Sequence, residues 1–299
     1  MIAVFCFNNT YSQTAEEFFK MGKEKIALKN YKSAITDLTK AIEIKSNYLE
    51  AYFLRGITKS TLEDNLGAIS DFTNIIELKP DYLKAYFMRG ITKSIVEDNL
   101  GAIADFTKII ELKPDFAEAY YKRGMAKSTL FDYRGAIIDY TKIIELKPDD
   151  EEAYYKMGDA KFSLNDYQGS VINCTKAIEL NTDYLEAYSL RGLAKFSLND
   201  YYGSIIDYTK VIELNPNTET LIYIYLARGN AKMLMKDNRG AISDFTKVIE
   251  FKSNLAEAYF ARGLCKISIN EKDSGCLDFS KAGELGQINT YEMIKEHCN

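Results

Sequence analysis

The sequence predicts an all-α solenoid made of eight helix pairs and a short C-terminal helix. Two series of glycines recur every 34 residues, with one step of 37, and together they account for fourteen of the seventeen glycines. All four prolines fall at one phase of this period, and the apolar residues between these markers recur at helical spacing. The first series is Gly22, Gly56, Gly90, Gly124, Gly158, Gly192, Gly229 and Gly263; the second is Gly67, Gly101, Gly135, Gly169, Gly203 and Gly240; the prolines are Pro80, Pro114, Pro148 and Pro216.

Each period divides into two helices. In the fourth copy, residues 118–130 contain no helix breaker except Gly124, and Asp132 can cap a second helix at residues 136–146. That second helix has an amphipathic pattern, and Pro148 ends it because proline cannot continue a helix. The linker phase after the proline is always Asn or Asp, which predicts a cap for the next first helix. Its members are Asn47, Asp81, Asp115, Asp149, Asp183, Asn217 and Asn254.

Eight copies fit this period, and residues 219–221 stand outside it. The extra residues are expected to lengthen a first helix by about one turn or to bulge its loop. We interpret them as a neutral insertion, with a specificity device as the alternative. Gly275, Gly283 and Gly286 predict a frayed second helix in the last copy, and residues 290–299 predict a helix that shields the end of the stack. The copies are residues 15–48, 49–82, 83–116, 117–150, 151–184, 185–218, 222–255 and 256–289.

A glycine inside each first helix predicts close packing of the two helices of a pair. Such a glycine costs about 1 kcal/mol relative to alanine, so a neighbouring helix is expected to approach the backbone there. The second helices carry small residues that would provide the matching surface. They are Ala34, Ala68, Ala102, Ala136, Ser170, Ser204, Ala241 and Gly275.

A 34-residue helix–turn–helix unit with these markers resembles the tetratricopeptide repeat of bacterial proteins. In the fourth copy the matching residues are Tyr120, Gly124, Ala136, Tyr140 and Pro148. The resemblance extends from residue 15 to about residue 287. It implies a right-handed superhelix whose concave face is lined by the first helices. The pentatricopeptide family, which binds RNA, has a similar repeat, but the net charge of −5 and the alanine and proline pattern argue against it.

The chain departs from the family pattern by placing Arg and Lys on one face of the first helices. An aspartate recurs on the second helices, so we predict an Arg–Asp ladder along the stack, with a ligand-binding role as the alternative. The pairs are Arg55/Lys59, Arg89/Lys93, Arg123/Lys127, Arg191/Lys195, Arg228/Lys232 and Arg262/Lys266. The aspartates are Asp37, Asp71, Asp105, Asp139, Asp207, Asp244 and Asp278.

Composition argues against catalysis and against cofactors. His297 is the single histidine, so neither a Ser-His-Asp triad with a supported base nor a His-rich metal site can be assembled. The five cysteines show no CxxC pair, and no apolar run reaches the length of a membrane span. We predict a non-enzymatic protein without cofactor, metal, nucleic-acid partner or membrane span.

The resemblance assigns the groove to two phases of the first helices, here called the groove strip. An apolar strip with acidic residues along its edge favours an apolar, basic peptide or a partner helix, but the same residues could serve only to pack the repeats. The strip is Phe53/Ile57, Phe87/Ile91, Tyr121/Met125, Tyr155/Asp159, Ser189/Leu193, Leu226/Asn230 and Phe260/Leu264. Its edge is Glu50, Glu118, Glu152, Glu186 and Glu257. The Lys/Asn carboxylate clamp of the chaperone-adaptor members is absent from these phases.

Two functions remain open at this stage. The first is a scaffold that binds a protein or peptide partner in its groove, as a monomer or weak oligomer. The second is a structural module that assembles with itself through repeat ends or grooves.

The two ends of the chain bear on its compartment. Residues 1–14 lie outside the repeats, and the apolar run at residues 2–7 looks like the tail of a bacterial secretory signal peptide, with a plain unstructured N-terminus as the alternative. We favour export to the periplasm or the extracellular space over a cytoplasmic location. Cys276 and Cys298 lie on the last two predicted helices, so export would allow a disulfide between them, with two free thiols as the alternative.

Overall fold

The computed structural model describes residues 13–298, which form seventeen α-helices and no β-strand. The signal-peptide interpretation concerns residues 2–7, outside this range. The helices are α1 Ala15–Ala27, α2 Tyr31–Ile44, α3 Leu49–Thr61, α4 Asn65–Leu78, α5 Leu83–Ile95, α6 Asn99–Leu112, α7 Ala117–Thr129, α8 Tyr133–Leu146, α9 Glu151–Ser163, α10 Tyr167–Leu180, α11 Leu185–Ser197, α12 Tyr201–Glu213, α13 Thr218–Leu234, α14 Asn238–Phe251, α15 Ala256–Ser268, α16 Lys272–Glu284 and α17 Thr290–His297.

The chain divides into two compact units, Met1–Lys142 and Ile143–Asn299. In the first unit, each helix from α1 to α7 packs against the next one along the chain. In the second unit, the helices from α9 to α17 pack in the same way. First helices of adjacent repeats also touch, as α3 and α5 do in one unit and α9 and α11 in the other. Each unit is therefore a stack of helix pairs whose contacts are made almost entirely between neighbours.

The extra residues 219–221 lie in the first turn of α13. This helix has 17 residues, whereas α11 and α15 have 13 each. The insertion therefore lengthens a first helix and does not bulge the loop before it. Asn217 caps the longer helix, because its side chain accepts a hydrogen bond from the backbone N–H of Thr220 at 2.9 Å.

Caps occur at the second helices and are mostly missing from the first ones. Asp98 accepts from the N–H of Gly101 at 2.9 Å, and its equivalents Asp64, Asp132, Asp166, Asp200 and Asp237 do the same. The predicted linker caps are wrong at most first helices: α3, α5 and α7 begin one residue later, after Tyr48, Tyr82 and Phe116, without a side-chain cap. The linker aromatics pack against first-helix rings, and this packing takes precedence over capping.

Aromatic rings of the second helices lie directly against the glycines of the first helices. A Cβ atom on Gly90 would stand 2.9 Å from ring carbons of Phe106, and one on Gly56 would stand 2.8 Å from Phe72. Both rings are almost completely buried, at 1% and 0% exposure. The close approach predicted from the glycine series is therefore made with a ring edge. Any side chain at these glycines would displace the ring from the core.

The predicted Arg–Asp ladder is confirmed. Arg89 holds both carboxylate oxygens of Asp105, with Nη2 to Oδ1 at 2.6 Å and Nε to Oδ2 at 3.0 Å. Lys93 Nζ lies 3.0 Å from the same Oδ2. The remaining arginine nitrogen donates to Thr73 Oγ1 of the preceding repeat at 3.0 Å, so each arginine joins two repeats. The arrangement recurs at Arg55, Arg123, Arg191, Arg228 and Arg262.

The fifth repeat replaces both ladder partners together, with Met157 at the arginine phase and Asn173 at the aspartate phase. The buried Asn173 amide donates to the carbonyl of Gly169 at 2.7 Å. In other repeats a ladder lysine reaches the equivalent carbonyl, as Lys93 Nζ does at 3.4 Å from Gly101 O. A neutral side chain therefore satisfies a backbone acceptor that a cation satisfies elsewhere.

A short helix follows the last repeat and is cross-linked to it. α16 runs unbroken from Lys272 to Glu284, so the prediction of a frayed helix is wrong; of the three glycines, only Gly286 leaves the right-handed region, at φ 96°. Gly275 packs against Ile267 and the backbone of Gly263, which explains why a small residue stands inside the helix. A Cys276–Cys298 disulfide joins α16 to the end of α17.

The ladder yields a prediction from the third repeat. Asp105→Asn alone leaves Arg89 and Lys93 without their buried carboxylate. It should lower the free energy of unfolding by about 3 kcal/mol. Arg89→Met combined with Asp105→Asn reproduces the fifth repeat and should be less destabilised than the sum of the two single variants, by about 1–3 kcal/mol. Urea denaturation followed by circular dichroism measures this double-mutant cycle. Strictly additive losses would show that the pair is not coupled.

Candidate binding groove

Many aromatic residues of the groove strip pack inside the repeats. The Phe87 ring lies 5.9 Å from Phe106 and 5.8 Å from Phe116, centroid to centroid. Phe53 makes the same contacts one repeat earlier, 5.9 Å from Phe72 and 6.1 Å from Tyr82. Each half-buried ring therefore covers the ring that fills the core of its own repeat. Tyr121, Tyr155 and Phe260 make one such contact each, to Tyr140, Tyr184 and Phe279 respectively.

In the first unit, two residues of the strip line an open cavity between α5 and α7. Ile91 and Met125 border a space of about 620 Å³, with Phe106 at its base. Met125 keeps 39% of its surface exposed. The same cavity is lined by four residues that were not predicted from the sequence: Ile95, Glu97 and Asn99 at the turn from α5 to α6, and Lys122 within α7. The exposure of Ile95, 58%, depends on where the helix ends relative to its neighbour, and spacing alone does not show it.

In the second unit, a cavity of about 570 Å³ opens between α9, α11 and α13. Four residues of the predicted strip and edge line it: Tyr155, Glu186, Ser189 and Leu193. The residues missed by the sequence analysis are Leu185, Leu190, Tyr208, Thr220, Tyr223, Ile224 and Ala227. A smaller space of about 170 Å³ adjoins it, lined by Leu193, Phe196, Tyr208, Ala227 and Asn230. Leu193, Tyr208 and Ala227 border both spaces, which therefore form one continuous depression.

The remaining predicted residues line none of these three cavities. Asp159 and the edge residues Glu50, Glu118 and Glu152 are exposed. Phe53 and Ile57 pack against the core of the second repeat. Phe260 packs within the last repeat, and Tyr121 within the fourth.

One carboxylate, that of Glu186, lines the depression of the second unit, and the charge of Asp159 acts on Tyr155 at its edge. Burial, and after it the nearby negative charges of Asp159 and Glu186, raises the pKa of Tyr155 to about 12. Desolvation raises the pKa of Asp159, and Lys156 opposes this effect. Lys156 Nζ itself lies 5.3 Å from the centre of the Tyr155 ring. The site is therefore an apolar depression with a negative rim.

Residues 13–298 contain no group of three or more His, Cys, Asp or Glu side chains placed to hold a metal ion. None of the seventeen helices described above is both long and apolar enough to cross a membrane.

Comparison with known protein families agrees with the helix pairs and with their recurring glycines and aromatic residues. The family model described as "Tetratricopeptide repeat" matches residues 15–48, 117–150, 151–184 and 185–218. These four segments are tetratricopeptide repeats. A search of curated proteins finds no match.

Solved structures with the same fold include several tetratricopeptide repeat proteins. The C-terminal part of a repeat protein from Cytophaga hutchinsonii matches with a TM-score of 0.70 and 17% identity, over 81% of this chain and 98% of that one. A Parabacteroides merdae protein matches with a TM-score of 0.60 and 18% identity, over 96% of this chain and 100% of that one. YrrB, described as "a TPR protein with an unusual peptide-binding site", matches with a TM-score of 0.52 and 19% identity, over 58% and 89%. At these identities the likeness shows the fold alone.

Two residues of the groove strip, Phe87 and Met125, allow a test of which strip residues pack in the core and which are exposed for binding. Phe87→Ala should lower the free energy of unfolding by about 2–3 kcal/mol, because the ring covers Phe106 and Phe116. Met125→Ala should cost less than about 1 kcal/mol, because much of that side chain is exposed. Chemical denaturation of the two variants measures the difference. Equal losses would mean that Met125 is as much a core residue as Phe87.

Proposed function

We propose that the protein is a non-enzymatic scaffold that binds a partner peptide or helix along its first helices. The observation that carries this proposal is that open, mainly apolar cavities occur in both units, bordered by residues of the groove strip such as Ile91, Met125 and Leu193. Tetratricopeptide repeats generally serve as interaction scaffolds, and solenoids bind partners on such extended surfaces. Catalytic residues and cofactors have no part in the proposal.

The partner chemistry follows from the lining and its rim. Half-exposed apolar side chains gain most by contact with apolar side chains of a partner. In the second unit the carboxylate of Glu186 favours Lys or Arg at the ends of the bound segment, whereas in the first unit Glu97 and Lys122 line the same cavity and their charges balance. This combination fits an amphipathic helix or an extended segment with basic residues.

Charge reversal inside the cavities tests the scaffold. Met125→Glu and Leu193→Glu should each weaken capture of the native partner at least tenfold, because a carboxylate would be placed against its apolar face. The partner is first identified by crosslinking and mass spectrometry in the native host, and its affinity is then measured with purified proteins.

Matched controls are available on the second helices. Ile138 and Ile172 are 69% and 61% exposed, and neither lines one of the cavities described above. Ile138→Glu and Ile172→Glu introduce the same charge and should leave the affinity within twofold of the wild type. Equal weakening by the control and cavity variants would contradict binding at the first helices.

Self-assembly is the alternative function, and exposed apolar residues on the second helices favour it. Leu66 and Leu100 are 75% and 72% exposed in the first unit, and Tyr202 and Ile206 are 67% and 52% exposed in the second. Under this alternative, mass photometry would show assembly that increases with concentration and is abolished by Leu100→Glu or Ile206→Glu. A protein that stays monomeric at all concentrations would exclude self-assembly, and only the scaffold proposal would remain.

We also propose that the protein works in an exported, oxidising compartment, supported by the Cys276–Cys298 disulfide. Burial raises the pKa of the Cys174 thiol to about 12 and that of Cys265 to about 11, so both should resist alkylation in the folded protein. Mass analysis of protein alkylated in its native host should find Cys276 and Cys298 linked. Two free thiols at these positions would contradict export.

A further inference from the structure

Two repeats lack the ring that covers the core elsewhere, and one of them has no apolar side chain in its place. The first position of each pair in the groove strip is aromatic in six of the eight repeats, as Phe19, Phe53, Phe87, Tyr121, Tyr155 and Phe260. The seventh repeat has Leu226 at this phase, and the sixth has Ser189. The Ser189 hydroxyl turns back on its own helix and donates to the carbonyl of Leu185 at 3.0 Å. Ser189 therefore contributes no apolar surface over Tyr208, the core ring of its repeat.

The space left by the missing ring is the 570 Å³ cavity of the second unit. Ser189 and Tyr208 both line it, together with Leu193. In the third repeat the equivalent core ring, Phe106, is covered by Phe87 at a centroid distance of 5.9 Å. A ring supplied from outside could take the equivalent position over Tyr208 and gain the same edge contact.

The extra turn of α13 forms the opposite wall of this cavity. Thr220 belongs to the inserted residues, and Tyr223 and Ile224 follow within one turn; all three line the cavity. Tyr223 is 63% exposed, so an apolar partner side chain would cover a large, rigid surface there. The insertion that was interpreted as neutral from the sequence therefore helps to shape this pocket.

The charges at the edge of the cavity favour particular partner residues beside the inserted ring. Glu186 lines the cavity, and the charges of Glu186 and Asp159 both act on Tyr155 at its edge. Lys156 faces this group and neutralises part of it. The edge keeps a negative excess, which is complementary to Lys or Arg in a partner.

We propose that this pocket binds an aromatic side chain of a partner peptide segment that carries Lys or Arg beside it. The proposal rests on the scaffold function and names the chemistry of its partner. The inserted ring packs on Tyr208 between Leu193 and Tyr223, in the place that Phe87 fills in the third repeat. The neighbouring cation pairs with Glu186. A second copy of this chain and a purely acidic or aliphatic segment are the competing occupants.

The decisive variant is Ser189→Phe, which supplies the missing ring from within. Because this chain carries Phe at the same phase in four other repeats, the variant should fold and melt at or above the wild-type temperature. Ser189→Ala is the matched control, since it removes the hydroxyl without filling the space. Glu186→Lys tests the flanking charge.

The probe is a phage-displayed library of random 12-residue peptides selected on the full-length protein. Wild type should enrich peptides with Phe, Tyr or Trp next to Lys or Arg. The best of them, synthesised and titrated by fluorescence anisotropy, should bind at least tenfold more weakly to Ser189→Phe and to Glu186→Lys, and within twofold of wild type to Ser189→Ala.

The outcomes separate this pocket from the scaffold function on which it rests. Unchanged binding to Ser189→Phe would overturn the pocket, while loss of binding in Met125→Glu would leave the scaffold standing. Enriched peptides that lack aromatic or basic residues would also overturn the pocket. A library that yields no peptide for wild type, together with concentration-dependent assembly lost in Ser189→Phe, would reject both and indicate a second copy as the occupant.

Discussion

The close approach of two helices at one glycine governs the architecture of every repeat. With hydrogen at Gly90, the edge of the Phe106 ring reaches the backbone of the first helix, at a distance that a methyl group would not allow. The buried ring then needs a cover on its other side, and a first-helix ring such as Phe87 provides it. The groove strip is therefore the outer layer of the core. At Ser189 this layer is incomplete, and it is there that we propose a pocket for a partner ring.

Charge holds successive repeats in register. The carboxylate of Asp105 is buried at 2% exposure, and its oxygens are taken up by the fork of Arg89 and the ammonium of Lys93. A buried ion pair adds little net stability compared with apolar packing. It does penalise any arrangement in which the partners are separated, because an unpaired buried charge is costly. Since the same arginine also binds a threonine of the preceding repeat, we interpret the ladder as a device that fixes how repeats align.

Periodic features could be predicted from the sequence because the chain repeats them. The glycine phases, the ladder and the second-helix caps such as Asp98 recur many times, and each repetition makes the pattern more specific. The linker caps failed because Tyr82 and its equivalents begin the helix through ring packing, which competes with capping. These aromatics share one phase of the period, but spacing does not show which of two adjacent residues, Asp81 or Tyr82, begins the helix. At the candidate site, Ile91, Met125 and Leu193 could be predicted from their phase. Tyr208 and Tyr223 could not, because what exposes a pocket there is an absent neighbour and an inserted turn. Ser189 was the signal, as a departure from the aromatic phase.

The paired change at Met157 and Asn173 has a consequence for how such a chain can diverge. Losing only the arginine would leave an aspartate short of its bidentate partner, and losing only the aspartate would leave two cations facing each other. The first repeat has taken the first of these steps: Met21 stands at the arginine phase, and Lys25 holds Asp37 with Nζ 2.6 Å from Oδ2. In the fifth repeat the aspartate is replaced as well, and an amide satisfies the backbone. Loss of the aspartate is therefore the step that calls for a matching change, because it alone would leave the cations without a counter-charge. Ser189 has no charged partner of this kind, so this position can change in a single step while the ladder preserves the frame.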